Sequence, residues 1–299
     1  MNIVDVVIPV YNPDRRFYIL IQRLLRQSLK PAKIWIVLTL TEKYGGPELL
    51  RGLAKYGIKD TRIKVLTVNK ESFNHGGTRQ MAAENTDADF CLFMTQDAVP
   101  VDRFLIEKMV AEVSRDETGV CYARQIPYKK ATVREKFSRN FNYPACSQIK
   151  DRKMLESGNI KAIFCSDVCA MYDMKLFSEL GGFERNVDFN EDMLYAHKVL
   201  TNGYIISYCA EAKVYHSHNL SFKEQFKRNR EIAISQKEHP EVFGKLSSEK
   251  EGISYVKKGI KYILANGKKR EAGAFIVDCG FRFMGYKIGK FTKVKRYKS

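Results

Sequence analysis

The sequence lacks the features that define several common classes of protein. Its 299 residues contain no apolar run of about 18 residues, the length that a membrane-spanning helix needs, so we expect no transmembrane helix. The first residues, MNIVDVVIPVYN, lack the basic segment that opens a signal peptide. The seven cysteines form no CxxC pair, which argues against a zinc site, and their odd number argues against a disulfide framework. We therefore expect a cytoplasmic protein.

Acidic residues are also few compared with basic ones. The chain has 51 Lys and Arg against 34 Asp and Glu, which gives a formal net charge of +17. Residues 221–299 alone contain 15 Lys and 5 Arg against 7 Glu and 1 Asp, so this segment carries +12 of that charge. A basic surface of this kind attracts polyanions such as nucleic acids, anionic membranes or phosphorylated small molecules. Its position late in the chain favours a membrane-surface or docking element over part of a catalytic core.

Strand-like and helix-like segments alternate along the first part of the chain. Apolar runs typical of buried strands occupy residues 3–10, 33–40, 63–68 and 90–95, and helical patterns lie between and after them, at 17–25, 46–53, 78–85 and 102–113. In the second of these helices we expect Leu49, Leu50 and Leu53 to face inward. The alternation predicts an α/β fold with a mostly parallel sheet and helices on both faces. Ligands bind such sheets at the carboxyl ends of the strands.

The later part of the chain is more varied. Residues 127–158 are polar and irregular, and we interpret them as a flap or a helix–loop insertion. Ser221 with Glu224, and Ser248 with Glu251, match the capping box that opens a helix, and each pair precedes a basic stretch. We therefore predict two basic helices in the C-terminal segment.

Two acidic motifs lie at the predicted ligand edge. TQD, residues 95–97, comes directly after the fourth strand, where the Asp97 carboxylate is placed to hold a divalent metal or, alternatively, to cap a turn. NED, residues 190–192, opens a helix, and the helix dipole alone would stabilise two acids there. The functional alternative makes one of Glu191 and Asp192 a general base and the other its positioning partner.

Two further motifs contain histidine. His216 and His218 follow a predicted strand, and we expect only one of them to face the site as a ligand, with the other packed or in solvent. FNHGGTR, residues 73–79, has two glycines before a helix, so backbone amides can approach an anion while Arg79 adds positive charge. It matches neither the GxGxxG fingerprint nor the P-loop. A lone histidine or a Gly-Gly turn is most often structural, so neither motif alone assigns a function.

In their order and spacing, these motifs together resemble those of the inverting glycosyltransferases of family 2, which have the GT-A fold. The resemblance covers residues 3–218 and includes PVYN, FNHGGTR, TQD, GGF, NED and HSH. FNHGGTR followed by TQDA is similar to the bacterial branch that uses dTDP-L-rhamnose. The resemblance implies a GT-A domain over residues 1–220, with a nucleotide-sugar half near 1–100 and an acceptor half near 101–220. Residues 221–299 would form a basic helical extension.

The resemblance also implies roles for individual residues. Asp97 matches the metal ligand at the end of the family's DxD motif, and His216 matches a position that can complete the site for Mg²⁺ or Mn²⁺. Asp192 matches the catalytic base, with Glu191 beside it. The residues implied to bind the nucleotide-sugar donor are Pro9, Tyr11, Thr39, Asn74, His75, Gly76, Arg79, Gln96 and Asp97.

Two positions depart from the family's pattern. Thr95 stands where the DxD motif has its first Asp, a residue that normally contacts the ribose or the sugar. Residues 37–41, VLTLT, lack the acid that usually contacts the base or ribose, and there Thr39 can replace one hydrogen bond. These departures imply an altered or relaxed selectivity for the base.

The implied reaction is a single in-line displacement at the anomeric carbon of the sugar. A metal on Asp97 neutralises the leaving nucleoside diphosphate, and Asp192 takes the proton of the acceptor hydroxyl. The acceptor would be a saccharide of bacterial cell-surface polysaccharide synthesis. The C-terminal mixture of apolar, Lys and Arg residues is compatible with a segment that lies on an anionic membrane, where the acceptor would be a lipid-linked saccharide at the inner face. The alternative for this segment is that its apolar face packs on the catalytic domain.

Two other functions compete with this interpretation. A sugar-phosphate nucleotidyltransferase shares the layered sheet and the acidic metal ligands, but it would have a Gly-rich basic loop where this chain has YNPD at residues 11–14. A nucleic-acid-binding protein would explain the net charge but not two acidic motifs at a ligand edge. We therefore expect a nucleotide-sugar donor and a saccharide acceptor as partners, and no nucleic acid.

Overall fold

The computed structural model describes residues 2–266 and 269–292, and within these ranges nine strands and twelve α-helices are present. The strands are β1 (Val4–Val10), β2 (Lys33–Leu40), β3 (Ile63–Asn69), β4 (Phe90–Met94), β5 (Val99–Pro100), β6 (Thr118–Ile126), β7 (Gln148–Lys150), β8 (Cys169–Asp173) and β9 (Ile205–Tyr215). The helices are α1 (Arg15–Leu25), α2 (Gly46–Lys55), α3 (His75–Ala83), α4 (Leu105–Val113), α5 (Val133–Asn142), α6 (Arg152–Glu156), α7 (Met174–Glu179), α8 (Glu191–Thr201), α9 (Phe222–Glu238), α10 (Pro240–Phe243), α11 (Glu249–Ala265) and α12 (Lys269–Phe291).

The strands form one sheet in the order β3-β2-β1-β4-β8-β6-β9-β5, and β7 also pairs with β9. Strands β3, β2, β1 and β4 are parallel to one another, and β6 is parallel to β9. Strand β8 runs antiparallel between β4 and β6. The ends of β1, β4, β6 and β9 therefore lie at the same edge as the beginning of β8. This mostly parallel sheet confirms the predicted α/β class.

Helices cover both faces of the sheet, as predicted, and β1 shows why. Val6 and Ile8 are buried in a core that they share with α1, α2 and α4. Val7 belongs to a second core on the other face, which contains side chains of α3, α7 and α8. Because neighbouring residues of a strand point to opposite faces, a continuous apolar run can fill two cores at once.

Polar side chains fix where several helices begin. Asp14 accepts a hydrogen bond from the backbone of the first turn of α1, and Thr132 does the same for α5. Ser221 and Glu224 form the predicted capping box of α9. Ser248, in contrast, makes no side-chain cap at α11, so the second predicted capping box is wrong. Glu251 instead lies 3.0 Å from Lys161 Nζ, which ties α11 to the segment before β8.

Several other predictions are corrected by the structure. Leu49 and Leu53 are buried in α2, but Leu50 is 61% exposed, because it lies about 100° around the helix from Leu49, at the outer edge of the buried side. Helix α3 begins at His75, three residues before the predicted start, and α4 begins at Leu105, three residues after it. Residues 127–158 contain α5, β7 and α6, so the helix–loop alternative is the better description. The sequence predicts two separate strand-like runs, at residues 204–208 and 212–215, but they form one continuous strand, β9.

The C-terminal helices pack on one another and on α5. Phe137 of α5, Ile263 of α11 and Phe275 of α12 form a small third core. Helix α9 lies directly against α12. The division of the chain near residue 220 stays a prediction. Among the residues in the two described ranges, no helix is both long enough and apolar enough to cross a membrane.

Candidate active site

Three side chains form a candidate metal centre at the carboxyl edge of the sheet. Asp97 follows β4, and His216 and His218 follow β9, two strands that the fold brings to the same edge. Asp97 Oδ1 is 3.6 Å from His216 Nε2, Asp97 Oδ2 is 3.2 Å from His218 Nε2, and the two Nε2 atoms are 3.0 Å apart. One carboxylate oxygen and two imidazole nitrogens within 4.8 Å of one another suit a divalent cation.

The expectation that only one of these histidines faces the site is wrong. Positions two apart on an extended chain share a face, so His216 and His218 point the same way. The strand itself ends at Tyr215, one residue before them. The histidine that the prediction left out therefore supplies a third candidate ligand.

A hydrogen bond sets the tautomer of His216. Its Nδ1 donates to Gln125 Oε1 at 2.8 Å, because an amide oxygen can only accept. Nε2 is therefore left with its lone pair directed at Asp97 and His218, as a metal ligand requires. Burial lowers the pKa of His216 well below its usual value and also lowers the pKa of His218, so both imidazoles are neutral at pH 7. These residues fit a divalent metal.

A buried cluster of carboxylates surrounds the predicted base. Arg79 Nη1 is 2.9 Å from Glu191 Oε1, and Arg79 Nε is 3.3 Å from Asp167 Oδ2. The backbone N–H of Asp167 donates to Asp192 Oδ2 at 3.2 Å, and the Tyr172 hydroxyl donates to Asp167 Oδ1 at 2.6 Å. Arg79 was predicted to add charge on the donor side, but it is buried and pairs with these acids instead.

Three carboxylates share one arginine in this cluster, and their acidity changes accordingly. Burial, assisted by the charge of Glu191, raises the pKa of Asp192 to about 7. Burial likewise raises the pKa of Glu191 and of Asp167, since one guanidinium does not offset three negative charges. Glu191 and Asp167 are sealed from solvent, whereas Asp192 is only partly buried. Asp192 is therefore the member of the cluster that can meet a substrate hydroxyl.

A hydrogen-bonded path joins the metal centre to this cluster. Gln125 accepts the His216 proton and donates from Nε2 to Ser166 Oγ at 3.0 Å. Ser166 precedes Asp167, whose backbone amide binds Asp192. Gln125 ends β6 and residues 166–167 precede β8, so the mixed sheet places both at the same edge. Asp97 and Asp192 therefore lie at the same edge of the sheet, joined by this path.

Gln125, Ser166 and Asp167 were not found from the sequence. None of the three belongs to a motif: Gln125 lies near the end of a mostly apolar segment, and Ser166 and Asp167 interrupt another. Only the register of β6, β8 and β9 brings them together. Gln125 is also held by Tyr143, whose hydroxyl accepts from its Nε2 at 2.6 Å, and by a hydrogen bond from Arg139. No strand was predicted over residues 118–126, so the need of a buried glutamine for polar partners gave no signal there.

The predicted donor residues divide into those near the edge and those used for packing. Tyr11 is 44% exposed after β1, and Gln96 binds its backbone through two hydrogen bonds of 2.8 and 3.0 Å. Pro9 is partly buried at the end of the same strand. Thr39 is buried, and its hydroxyl has no hydrogen-bond partner among residues 2–266 and 269–292. A buried hydroxyl without a partner is a natural contact for a ligand.

The FNHGGTR segment has a different role from the predicted anion site. The Gly76 amide donates to Val187 O at 2.9 Å, and the Gly77 amide donates to the Asn74 side chain at 2.6 Å, so neither amide is available to an anion. A side chain at Gly76 would overlap the backbone carbonyl of Glu184, which explains the glycine. The segment therefore fixes α3 against the loop that leads to Glu191 and Asp192.

Positive charge faces the cleft from elements that the sequence did not suggest. Arg16 Nη1 of α1 is 3.9 Å from Asp97 Oδ2. Arg228 of α9 is exposed and forms no ion pair with any other described residue. Its charge acts on His216 and His218, and with burial and Arg79 it lowers the pKa of His75 to about 3. A carboxylate centre flanked by Arg16, which also pairs with Asp14, and by the exposed Arg228 suits an anion that arrives with a metal.

Comparisons with known proteins agree with this arrangement. A sequence model described as glycosyl transferase family 2 matches residues 5–181. The chain is 33% identical over 291 residues to the O-antigen chain rhamnosyltransferase RfbN of Salmonella typhimurium, covering 96% of this chain and 89% of the relative. It is 33% identical over 230 residues to the O-antigen chain rhamnosyltransferase WbaN of Salmonella anatum, covering 76% of this chain and 72% of that relative.

Solved structures share the fold at low sequence identity. A mannosyltransferase from Pyrobaculum calidifontis in complex with GDP-Man and Mn²⁺ has a TM-score of 0.63 and 13% identity, over 97% of this chain and 86% of that one. S. aureus TarS 1–349 in complex with UDP-GlcNAc has a TM-score of 0.54 and 14% identity, over 97% of this chain and 90% of that one. These likenesses confirm the predicted GT-A fold.

Proposed function

The chain belongs to glycosyl transferase family 2, and we propose that it transfers L-rhamnose from dTDP-L-rhamnose, with inversion, to a saccharide acceptor of cell-surface polysaccharide synthesis. The observation that carries the proposal is the path from Asp97 through His216 and Gln125 to the amide that binds Asp192. It supports a cation site and a proton acceptor at one edge of the sheet, the arrangement that a direct displacement requires. The names of the two Salmonella relatives support the choice of sugar and pathway.

On the donor side, Asp97, His216 and His218 are the residues that would hold Mg²⁺ or Mn²⁺. Such an ion, when bound, neutralises the charge that develops on the leaving diphosphate. Arg16 and Arg228 add positive charge at the same place. The Thr39 hydroxyl and the exposed Tyr11 are the proposed contacts for the nucleoside.

On the acceptor side, Asp192 takes the proton of the attacking hydroxyl. A pKa of about 7 is well matched to this task, because the carboxylate is both present and basic enough at neutral pH. Asp167 holds one oxygen of Asp192 through its backbone amide, and Glu191 stays paired with Arg79. These buried contacts orient the base without occupying all of its lone pairs.

We extend the proposal to a lipid-linked saccharide as the acceptor, presented at the inner face of the cell membrane. The support is the basic C-terminal segment, which carries +12 of the net charge of +17. Anionic lipid attracts such a segment.

A nucleotide and donor screen tests the proposal. Thermal shifts are measured with dTDP, UDP and GDP in the presence of Mn²⁺, followed by hydrolysis of the matching nucleotide sugars. We expect dTDP to stabilise the protein most and dTDP-L-rhamnose to be hydrolysed fastest. Asp97→Asn should lose the Mn²⁺-dependent shift, whereas Asp102→Asn, a matched change in a surface ion pair with Lys108, should keep it. If no nucleotide shifts the wild-type melting temperature, the donor assignment is wrong.

A further inference from the structure

The outer side of α12 is an apolar face with a basic rim. The exposed positions from residue 276 onward follow helical spacing along one side of the helix, and they are Ile276, Val277, Gly280, Phe283, Met284, Lys287, Ile288 and Phe291. We call these residues the outer face of α12. Six of the eight are large and apolar, with exposed fractions from 45% to 83%, and the only charge among them is positive. Exposed apolar groups that continue along a helix mark an interaction site.

Packing on the opposite side keeps this face turned outward. A side chain at Gly285 would overlap the backbone carbonyl of Phe226, and one at Gly289 would overlap that of Arg230, so α12 lies very close to α9. Phe275 fills the core with α5 and α11. A helix that is fixed along its inner side by glycine contacts and a buried aromatic ring cannot roll to hide its outer side.

The acidic residues of α12 are also turned inward. Asp278 accepts from Arg282 Nε at 2.7 Å and lies 3.8 Å from Arg134 Nη1. Glu271 Oε2 is 3.6 Å from Arg134 Nε. Lys287 and Lys290 instead lie over aromatic rings at 5.4 and 5.5 Å and keep their charge near the surface. The helix therefore presents apolar groups and positive charge, but no negative charge, to its surroundings.

We propose that the outer face of α12 lies in the surface of a lipid bilayer that contains anionic lipid, with the apolar side chains in the acyl boundary and the lysines at the headgroups. This is the arrangement of amphipathic helices that bind membranes without crossing them. A second copy of the chain fits less well, because a two-fold contact of this face would bring the Lys287 side chains of both copies together without an acid to pair them. Residues 293–299 add three Lys and one Arg to the sequence directly after the face.

The position of the face connects it to the active site. Helix α9 contacts α12 through Phe226 and Arg230, and Gln225 of α9, Asp278 of α12 and His218 of the candidate metal centre line one small pocket. Packed helices are separated by about 8–10 Å, so the bilayer surface would lie about one helix away from the cleft. The inference rests on the proposed function in this respect: a lipid-linked acceptor would then enter from the surface on which the enzyme sits.

Vesicle sedimentation with the full chain tests the inference. Wild-type protein is mixed with vesicles of phosphatidylcholine alone or of phosphatidylcholine with phosphatidylglycerol. The test variant, Phe283→Ser with Ile288→Ser, removes two apolar side chains from the outer face. The control variant, Leu50→Ser with Ile149→Ser, removes two equally exposed ones, 61% and 59%, from α2 and β7. Circular dichroism and melting temperature check that both variants are folded.

We expect wild type and control to bind the anionic vesicles and the test variant to bind at least about tenfold less. Equal sedimentation of test variant and control overturns the inference, as does a wild type that binds neither kind of vesicle. A wild-type dimer that the test variant cannot form, without any vesicle binding, assigns the face to a second copy instead. Stabilisation by dTDP with Mn²⁺ is measured on the same samples, so a failure of the membrane inference is distinguished from a failure of the proposed function.

Discussion

Replacing Glu191 with Gln removes a charge beside the proposed base and keeps the size of the side chain. After burial, the charge of Glu191 is the largest cause that raises the pKa of Asp192 to about 7. In Glu191→Gln the burial remains and the charge is gone, so the pKa of Asp192 falls. A neighbouring carboxylate raises the pKa of a carboxyl group, and we expect its removal to lower the pKa of Asp192 by about one unit. Arg79 keeps a partner, because Asp167 stays 3.3 Å away.

The direction in which turnover changes with pH depends on which protonation state of Asp192 reacts. Only the ionised carboxylate accepts a proton, so turnover rises with pH through the pKa of Asp192 and is constant above it. In the wild type, about one tenth of Asp192 is ionised one unit below a pKa of 7, whereas about half is ionised if the pKa is 6. The turnover at pH 6 relative to that at pH 8 should therefore be about fivefold higher in Glu191→Gln than in the wild type.

The measurement is the initial rate of nucleotide release from saturating donor across this pH range, with Mn²⁺ present. The matched control is Glu184→Gln, since Glu184 is a half-exposed partner of Lys198 at 2.8 Å, and a surface pair of this kind has little influence on a buried group. Its pH profile should coincide with that of the wild type. If a folded Glu191→Gln enzyme also has the wild-type profile, then Asp192 is not the group that controls the reaction or Glu191 does not set its pKa.

Further changes test the base, the metal centre and the fold. Asp192→Asn should lower turnover by about 10²–10⁴-fold and leave the thermal shift with dTDP intact; near-normal turnover would contradict the assignment. Gln125→Leu removes the acceptor of the His216 proton, so calorimetry should show Mn²⁺ affinity about 10–100-fold weaker, and unchanged affinity would mean that this hydrogen bond does not orient the ligand. Leu49→Ala should lower the free energy of unfolding, measured with urea, by about 2–5 kcal/mol, and Leu50→Ala by less than about 0.5 kcal/mol. Equal losses would contradict the different burial of the two side chains.

The strands were the most predictable part of the fold. The run KIWIVLTL predicts β2 to the residue, because a strand buried on both faces has few polar positions and ends where they begin. Helix α3 was harder. Gly76 and Gly77 indicate a break before the helix, yet both lie inside its first turn. What makes glycine necessary at Gly76 is the carbonyl of Glu184, a contact more than a hundred residues away that no local pattern reveals.

The candidate site was predictable where a motif and a strand end coincide. TQD after β4 met this condition, whereas NED opens helix α8, and the structure brings Asp97 and Asp192 to the same edge of the sheet. The geometry of HSH was available as well, since residues two apart on an extended chain share a face, and that rule includes His218 in the metal centre. Arg228 was not predictable, because α9 reaches the cleft only through the packing of the C-terminal helices.

The antiparallel direction of β8 explains why the candidate metal centre and the proposed base lie at the same edge of the sheet. Had β8 been parallel to β4 and β6, its first residues would lie at the far edge of the sheet, and Asp167 with them. Because β8 is antiparallel, residues 166–167 arrive at the ligand edge between the strand that carries Asp97 and the strand that carries Gln125. One dipeptide then contacts both Gln125, the hydrogen-bond partner of His216, through Ser166, and the base, through the Asp167 amide. The metal centre and Asp192 are therefore linked through residues 166–167. We expect substitutions at these two residues to change both the affinity for Mn²⁺ and the dependence of turnover on pH.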